Sequence, residues 1–436
     1  MSNSTQPYIT AINSIANELP GNNLSWLQNT RNNALKNFET LGFPNQKNEA
    51  WKYTKTNVFG KKQFSLCEKP CVALLKEDIS HLRDDQYLNL VFINGYFTPQ
   101  LSDKNTEEGL ILTNLQQMLC DSSETIQPFL SQYSDIKNQS FNALNTAYMN
   151  DGSYIKIQNN QVIKKPIQLI YLTTQQSTPA MTQPRNLIIA EPNSQATIIE
   201  NYATFGESEH FTNSLTEIIT QENSSVEHIK IQQECSKAYH IASISTYQHK
   251  DSRFTSHSFV FDGKLTRNEI NSVFAEEGCE CTLNGLYLVS GQQHVDHQTS
   301  IEHVKPNGTS KQTYKGILAD RSRAVFNGRV KVHKNAQKSF SEQTNDNLLL
   351  SEHAEIDTKP QLEIYADDVK CAHGATVGQL NPEEIFYLQA RGIGYKNAKE
   401  LLTVAFANDM INKIKVETLQ KMLQQKLSNC CTTEEI

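Results

Sequence analysis

Between about residues 151 and 380 the apolar positions come in short alternating runs, such as Leu187-Ile188-Ile189, Thr197-Ile198-Ile199 and Leu286-Tyr287-Leu288-Val289. Helical spacing almost vanishes there. Small–polar–apolar tetrads recur after turns: Ser194-Gln195-Ala196-Thr197, Ser224-Ser225-Val226-Glu227, Ser252-Arg253-Phe254-Thr255, Cys279-Glu280-Cys281-Thr282, Ser322-Arg323-Ala324-Val325 and Ala354-Glu355-Ile356-Asp357. Their first residues are separated by 30, 28, 27, 43 and 32 positions. A regular pitch of strands and tight turns without helices between them predicts a β-solenoid. Each coil then buries its inward residues by stacking on its neighbours, and small residues suit the corners. The step of 43 reads as an insertion. A two-sheet sandwich fits the same alternation and stays open as the alternative.

The flanks read differently. Residues 1–150 are predicted to be a helical or mixed region. Leu27, Ala34, Leu35, Phe38 and Leu41 share one helical face, and Gly42 before Phe43-Pro44 is a stop. Leu90-Val91-Phe92-Ile93, Asn94-Gly95 and Tyr96-Phe97 read as strand, tight turn and strand, and the polar stretch 102–109 as a loop. After the solenoid segment, 151–380, a helical region, 381–436, opens at Asn381-Pro382-Glu383-Glu384. Asn suits the N-cap, Pro the first turn, and the acids the positive helix end. The first helix runs to about Arg391 and breaks at Gly392-Ile393-Gly394. Ala398, Leu401, Leu402 and Ala405, then Val416, Leu419, Leu423 and Leu427, resume helical spacing. With Phe386, Tyr387 and Phe406 these helices carry more apolar surface than a small tail can bury on itself. They are expected to pack on the strand region or, as the favoured reading, on a partner.

Composition agrees with an extended fold. The apolar fraction is 38%, below the roughly 45–50% of typical globular domains, and Asn, Gln, Ser and Thr make up the difference. A net charge of −7 without a basic run argues against nucleic-acid binding. No secretion signal or run of about 20 apolar residues is present, so a soluble, cytoplasmic protein without membrane contact is expected. Nine cysteines, an odd number in a long chain, point to reduced thiols. Cys67 and Cys71 lack a second pair to complete a zinc site.

The densest chemistry lies at Val369-Lys370-Cys371-Ala372-His373-Gly374-Ala375-Thr376. Cys371 and His373 on one strand face the same side, and sulfur with nitrogen suits Fe, Zn or Cu(I). Two donors make half a site, which a second chain or an added ligand must complete. On spacing alone, a buried cysteine beside a hydrogen-bonded histidine near a turn is the favoured reading. His294 and Asp296 share a strand face while His297 lies opposite, with His303 further on, which reads as a polar ladder. Cys279 and Cys281 read as packing residues or, alternatively, as a sulfur acceptor or iron ligand. Cys430-Cys431 reads as an exposed, incidental pair. No phosphate loop, nucleophile elbow or dinucleotide fingerprint occurs, and no catalytic set assembles, so a non-enzyme is expected.

Arg323-Ala324-Val325-Phe326-Asn327-Gly328, Lys370 through Gly378, and Tyr387-Leu388-Gln389-Ala390-Arg391-Gly392-Ile393 together resemble the SufB/SufD family of iron–sulfur cluster assembly proteins. Asn48-Glu49-Ala50-Trp51-Lys52-Tyr53-Thr54, Phe92-Ile93-Asn94-Gly95 and Phe141 through Ala147 are similar to signatures of its SufD branch. The resemblance implies a right-handed parallel β-helix flanked by helical regions, acting as a scaffold within a SufBCD complex. It implies pairing with a SufB-like subunit, or a homodimer in isolation. His373 and Cys371 would then be ligands to a nascent Fe-S cluster at that interface. It also implies docking of a SufC-like ATPase on the C-terminal helices, through Phe386, Tyr387, Leu401, Leu402 and Phe406. The full complex is further linked with reduced flavin, for which this sequence offers no fingerprint. Two rivals are a structural adaptor that never contacts iron and a β-helix polysaccharide-processing enzyme. The second needs a charged groove and is mostly secreted.

Overall fold

The computed structural model describes residues 4–70 and 74–432. Its centre is a β-solenoid of about eight turns, built as two parallel sheets, and not a sandwich. One wall ends at Glu355–Ile364 and is covered by the N-terminal helices. The other ends at Val369–Gly378 and is covered by the C-terminal helices. They are called here the amino-side and carboxy-side walls.

The corners explain the repeat. Gln195, Ser225, Arg253 and Glu280 are neighbours in register on the carboxy-side wall, so the first four tetrads stack at one corner. The residue before each is left-handed: Asn193 (φ 58°), Asn223 (54°), Asp251 (54°) and Gly278 (73°). Asn, Asp and Gly tolerate that conformation best. The small residue that follows is buried and caps the turn. Ser194, Ser224 and Ser252 each donate to the carbonyl three residues earlier, at 2.6–2.7 Å, and the Cys279 thiol does the same at 3.2 Å. The step of 43 is not an insertion. Arg323 pairs with Glu355 on the amino-side wall, so the last two tetrads lie at a corner of the opposite sheet. The next two places above Cys279 belong to Gly308 and Ser339. A Cβ at Gly308 would come within 2.7 Å of the Phe274 ring, which is why the tetrad signature fails there.

The amino end of the solenoid is closed. Leu88–Ile93 pairs with Ile167–Thr174 and folds back on Tyr96–Phe97 through Asn94 and Gly95, both at positive φ, as the sequence predicts. Phe92 stacks on Tyr171 at 4.9 Å, and Tyr171 on Tyr202 at 5.0 Å. The predicted first-region helix is Ser25–Leu41, ended by Gly42 at φ 64°.

The C-terminal helices are Pro382–Ala390, Tyr395–Ile411 and Glu417–Thr432, with the Asn381 side chain accepting from the Glu383 amide at 2.9 Å. Most of their apolar surface is buried on the chain's own solenoid, in contrast to the expectation that a partner covers it. Ala407, Met410, Ile411, Leu419, Leu423 and Leu427 pack on Ile229, Ile231, Phe259, Leu286, Leu288 and Ile317 of the carboxy-side wall. Those strands are apolar on the outward face the helices cover, while His228, Lys230 and Gln232 of Ser225–Gln233 alternate with them on the lumen side. Cys431 is buried in this layer with Cys430 beside it, so the pair is not the exposed one expected.

Candidate functional site

The carboxy end of the solenoid is open. Among the described residues Glu355–Ile364 and Val369–Gly378 each pair along one edge only, so the last coil presents two bare strand edges. Such edges are templates for another strand. Cys371 is in register with Ser341, and His373 with Gln343. Ser341 and Gln343 alternate inward and are buried, so Cys371 and His373 occupy lumen positions of a coil that nothing covers. They lie on one face, roughly 7 Å apart along the strand. His373 is exposed, whereas Cys371 is half-buried against Val330, Val332, Ala336 and Ala366, and burial raises its thiol pKa. Behind them the buried Gln343 amide has no hydrogen-bond partner and fills the space a Cβ on Gly328 would need. The glycine of Asn327-Gly328 is therefore fixed by close packing beneath the last coil.

Among the described residues no three His, Cys, Asp or Glu side chains converge as a metal site, so Cys371 and His373 supply two donors and no more. A cavity of ≈480 Å³ lined in part by Trp51, Arg267 and Arg329 contains no thiol or imidazole.

The other sequence candidates are placed elsewhere. His294 and Asp296 point outward to the N-terminal segment. Thr54 Oγ1 lies 2.9 Å from His294 Nε2 and donates to Asp296 at 2.5 Å. Asp296 also pairs with Arg267, whose guanidinium sits 3.8 Å from the Trp51 ring and donates to the Ala50 carbonyl at 2.9 Å. This half of the cluster anchors residues 48–54 to the wall. His297 points inward between Tyr287 and Tyr314, 5.2 Å from each ring, and burial pushes its pKa down to about 3. Cys279 and Cys281 are fully buried, and burial raises their thiols to about 11 and about 12. Cys279 is a corner cap in the place of a serine, so the packing reading accounts for it. Cys67 is buried likewise, and Cys71 lies outside the described residues.

Two family models together cover nearly all of the chain. Residues 2–169 match the SufBD protein N-terminal region, and residues 171–406 match the SufBD core domain of SUF system FeS cluster assembly. The chain belongs to the SufBD family. An iron-sulfur cluster assembly SufBD family protein of Synechocystis is 34% identical, over 93% of this chain and 91% of the relative. The iron-sulfur cluster assembly protein SufD of Escherichia coli is 32% identical over 90% of each chain, and that of Bacillus subtilis 25% over 92% of each. This SufBD-family chain is thus SufD-like over about nine-tenths of its length, and neither family model describes a polysaccharide-processing enzyme. Its docking candidates divide in two. Phe386 (71% exposed), Tyr387 (56%) and Leu401 (50%) face outward, while Leu402 is half-buried. Phe406 is turned to the solenoid, with Lys315 Nζ 4.5 Å from its ring. The single Gly-x-Gly, Gly392–Gly394, joins two helices and offers a flavin no strand-to-helix phosphate turn.

Sequence reasoning missed a buried polar row in the lumen. Glu234 Oε2 lies 2.7 Å from His240 Nδ1, His240 Nε2 2.8 Å from Lys230 Nζ, and Lys230 donates to Asn268 at 2.8 Å. These residues come from two adjacent coils and from both walls, and only the coil pitch could have brought them together on paper.

Proposed function

We propose that the chain is a non-catalytic scaffold subunit of a cytoplasmic SufBCD-like complex, presenting half of a ligand set for a nascent iron–sulfur cluster. The observation that carries this is the uncovered last coil, where Cys371 and His373 face one way beside two unpaired strand edges. A SufB-like solenoid continuing the sheets would meet those edges and supply the missing donors. In its absence a second copy of this chain is the alternative occupant. Imidazole and thiolate suit iron, and the cluster is cargo built and passed on, not a resident group. The outward Phe386, Tyr387 and Leu401 dock a SufC-like ATPase, whose closure is transmitted through helices packed on the carboxy-side wall. Leu402 and Phe406 support that surface from below. The reduced flavin is assigned to another subunit.

Co-purification with SufB-like and SufC-like partners, with and without residues 381–436, tests the scaffold. The full chain should retain both partners, and the truncation should lose only the ATPase. Binding of neither by the full chain would overturn the reading. For the ligand role, His373→Ala should leave the complex assembled but abolish cluster formation. Full assembly by that variant would reduce the chain to an adaptor.

A further inference from the structure

Beside the C-terminal helices, the carboxy-side wall carries a polar pocket of ≈320 Å³. That volume is at the lower end of the roughly 300–1,000 Å³ of small-molecule sites. Three cations line it: Lys311 from Thr309–Leu318, and Lys413 and Lys415 from the turn between Tyr395–Ile411 and Glu417–Thr432. Among the described residues none of the three has a carboxylate oxygen within 4.0 Å. Lys413 donates to the neutral Asn284 Oδ1 at 3.3 Å, and the nearby Asp409 is held by Lys315 at 2.9 Å. In a chain of net charge −7, three lysines without ion pairs around one pocket form an uncompensated positive field. The floor adds neutral donors. Thr255, Thr282 and Lys311 are register neighbours on successive coils, as are Asn284 and Thr313, so they stand about 4.8 Å apart. Among the described residues the hydroxyls of Thr255, Thr282 and Thr313 have no hydrogen-bond partner. His257, 1% exposed, lies beneath them. Asn284 Nδ2 donates to its Nδ1 at 3.4 Å, which leaves the ring proton on Nε2. That nitrogen makes no hydrogen bond, and Glu227 Oε1 stands off from it at 3.5 Å. Glu227 is the one carboxylate lining the pocket, and its Oε2 accepts from Thr197 at 3.3 Å.

We propose that this pocket binds a small anion bearing a phosphoryl group, either free phosphate or a phosphate ester. Lys311, Lys413 and Lys415 supply the charge, and Thr255, Thr282 and Thr313 the hydroxyl donors. A phosphoryl group carries nearly two charges and at least three acceptor oxygens at pH 7, whereas a carboxylate has one charge and two oxygens. Three separate cations and hydroxyls on different coils match the phosphoryl group, because each donor can hold a different oxygen. The His257 Nε2 proton lies below them as a further donor. The bound anion ties the turn at 412–416 to the wall, since its ligands come from both.

Titration calorimetry on the full chain, at pH 7 and fixed ionic strength, tests this with inorganic phosphate, glycerol 3-phosphate and acetate. Line broadening of the ³¹P signal reads any binding that releases no heat. A phosphoryl probe should saturate one site with Kd below about 1 mM, about tenfold or more tighter than acetate. Tighter binding of the ester marks a phosphate-ester site, and tighter binding of inorganic phosphate a site for the free ion. Lys311→Gln with Lys415→Gln should weaken binding about tenfold. Lys36→Gln with Lys47→Gln removes the same charge at exposed positions of the N-terminal region, and should change it by less than about twofold. Glu227→Gln should tighten binding about threefold, because it removes the one repelling carboxylate. No saturation by either phosphoryl probe up to about 10 mM, a result that needs no variant, would overturn the proposal. So would equal losses from the two double variants, which would mark a diffuse charge effect, or acetate binding as tightly as phosphate. An acidic peptide that binds where both phosphoryl probes fail would assign the face to a protein partner instead.

Discussion

The two ends of the solenoid are built from the same coil and finished differently. At the amino end a reversing strand, Tyr96–Phe97, and the stacked rings of Phe92, Tyr171 and Tyr202 close both the sheet edge and the lumen. At the carboxy end the strand edges are bare and the lumen positions hold a thiol and an imidazole. A solenoid needs a cap wherever it meets water. An end left without one, carrying a thiol and an imidazole instead of apolar filler, is the feature on which the proposed partner rests.

The strongest way to break this comparison is to disturb each end in turn. Phe92→Ala should cost about 3–5 kcal/mol in urea denaturation, as large-to-small changes at fully buried aromatic sites do. His373→Ala, at an exposed position, should stay within about 0.5 kcal/mol. Similar losses at both ends would mean that the open coil is also structural.

Acid tests the interior that joins them. Burial lowers His240 and His303 to about 4 and His297 to about 3, so all three are neutral when folded and take up protons on unfolding near pH 6.5. Their contribution is present above pH 6.5 and is lost as pH falls toward 4. The urea midpoint should therefore drop across that window. His297→Phe should flatten the slope by up to about 1.4 kcal/mol per pH unit. His210 runs the other way. Its raised value gives stability that is full below pH 6.5 and lost as pH rises through about 10.

Smaller effects sharpen the contrast at the surface. Val377 is 49% exposed on the open coil, and Val377→Asp should weaken SufB-like binding at least tenfold (about 1.4 kcal/mol) without altering circular dichroism. Phe386→Ala should weaken capture of the ATPase by about 1–2 kcal/mol and leave the melting temperature unmoved.

Much of this was legible in the sequence, for reasons the corners make plain. Ser194, Ser224 and Ser252 are small because each caps a turn, and Asn193, Asn223 and Asp251 precede them because the backbone turns left-handed there. What misled was symmetry. The two walls have similar corners, so Ser322 passed for the successor of Cys279 when it belongs to the facing sheet. The covering of the C-terminal helices was misjudged because an apolar helical face says nothing of which surface receives it. The outward Ile229, Ile231, Leu286 and Leu288 were the available clue. Cys371 and His373 were found because neighbours on a strand share a face. The row of Glu234, His240, Lys230 and Asn268 was not, because its members meet only after the chain has turned a corner and begun the next coil.

The in-register corners also make length a counted quantity. Each coil returns to its starting place after 26 to 33 residues, so the chain can grow or shrink gracefully only by whole coils, each moving the last one by about 4.8 Å. Dropping one residue within Ser225–Gln233 would turn Lys230 outward and Ile229 and Ile231 inward, exchanging the lumen with the surface. The reach from the closed end to the open edge is thus set in discrete steps, as on a ratchet, and a change of reach calls for a whole tooth.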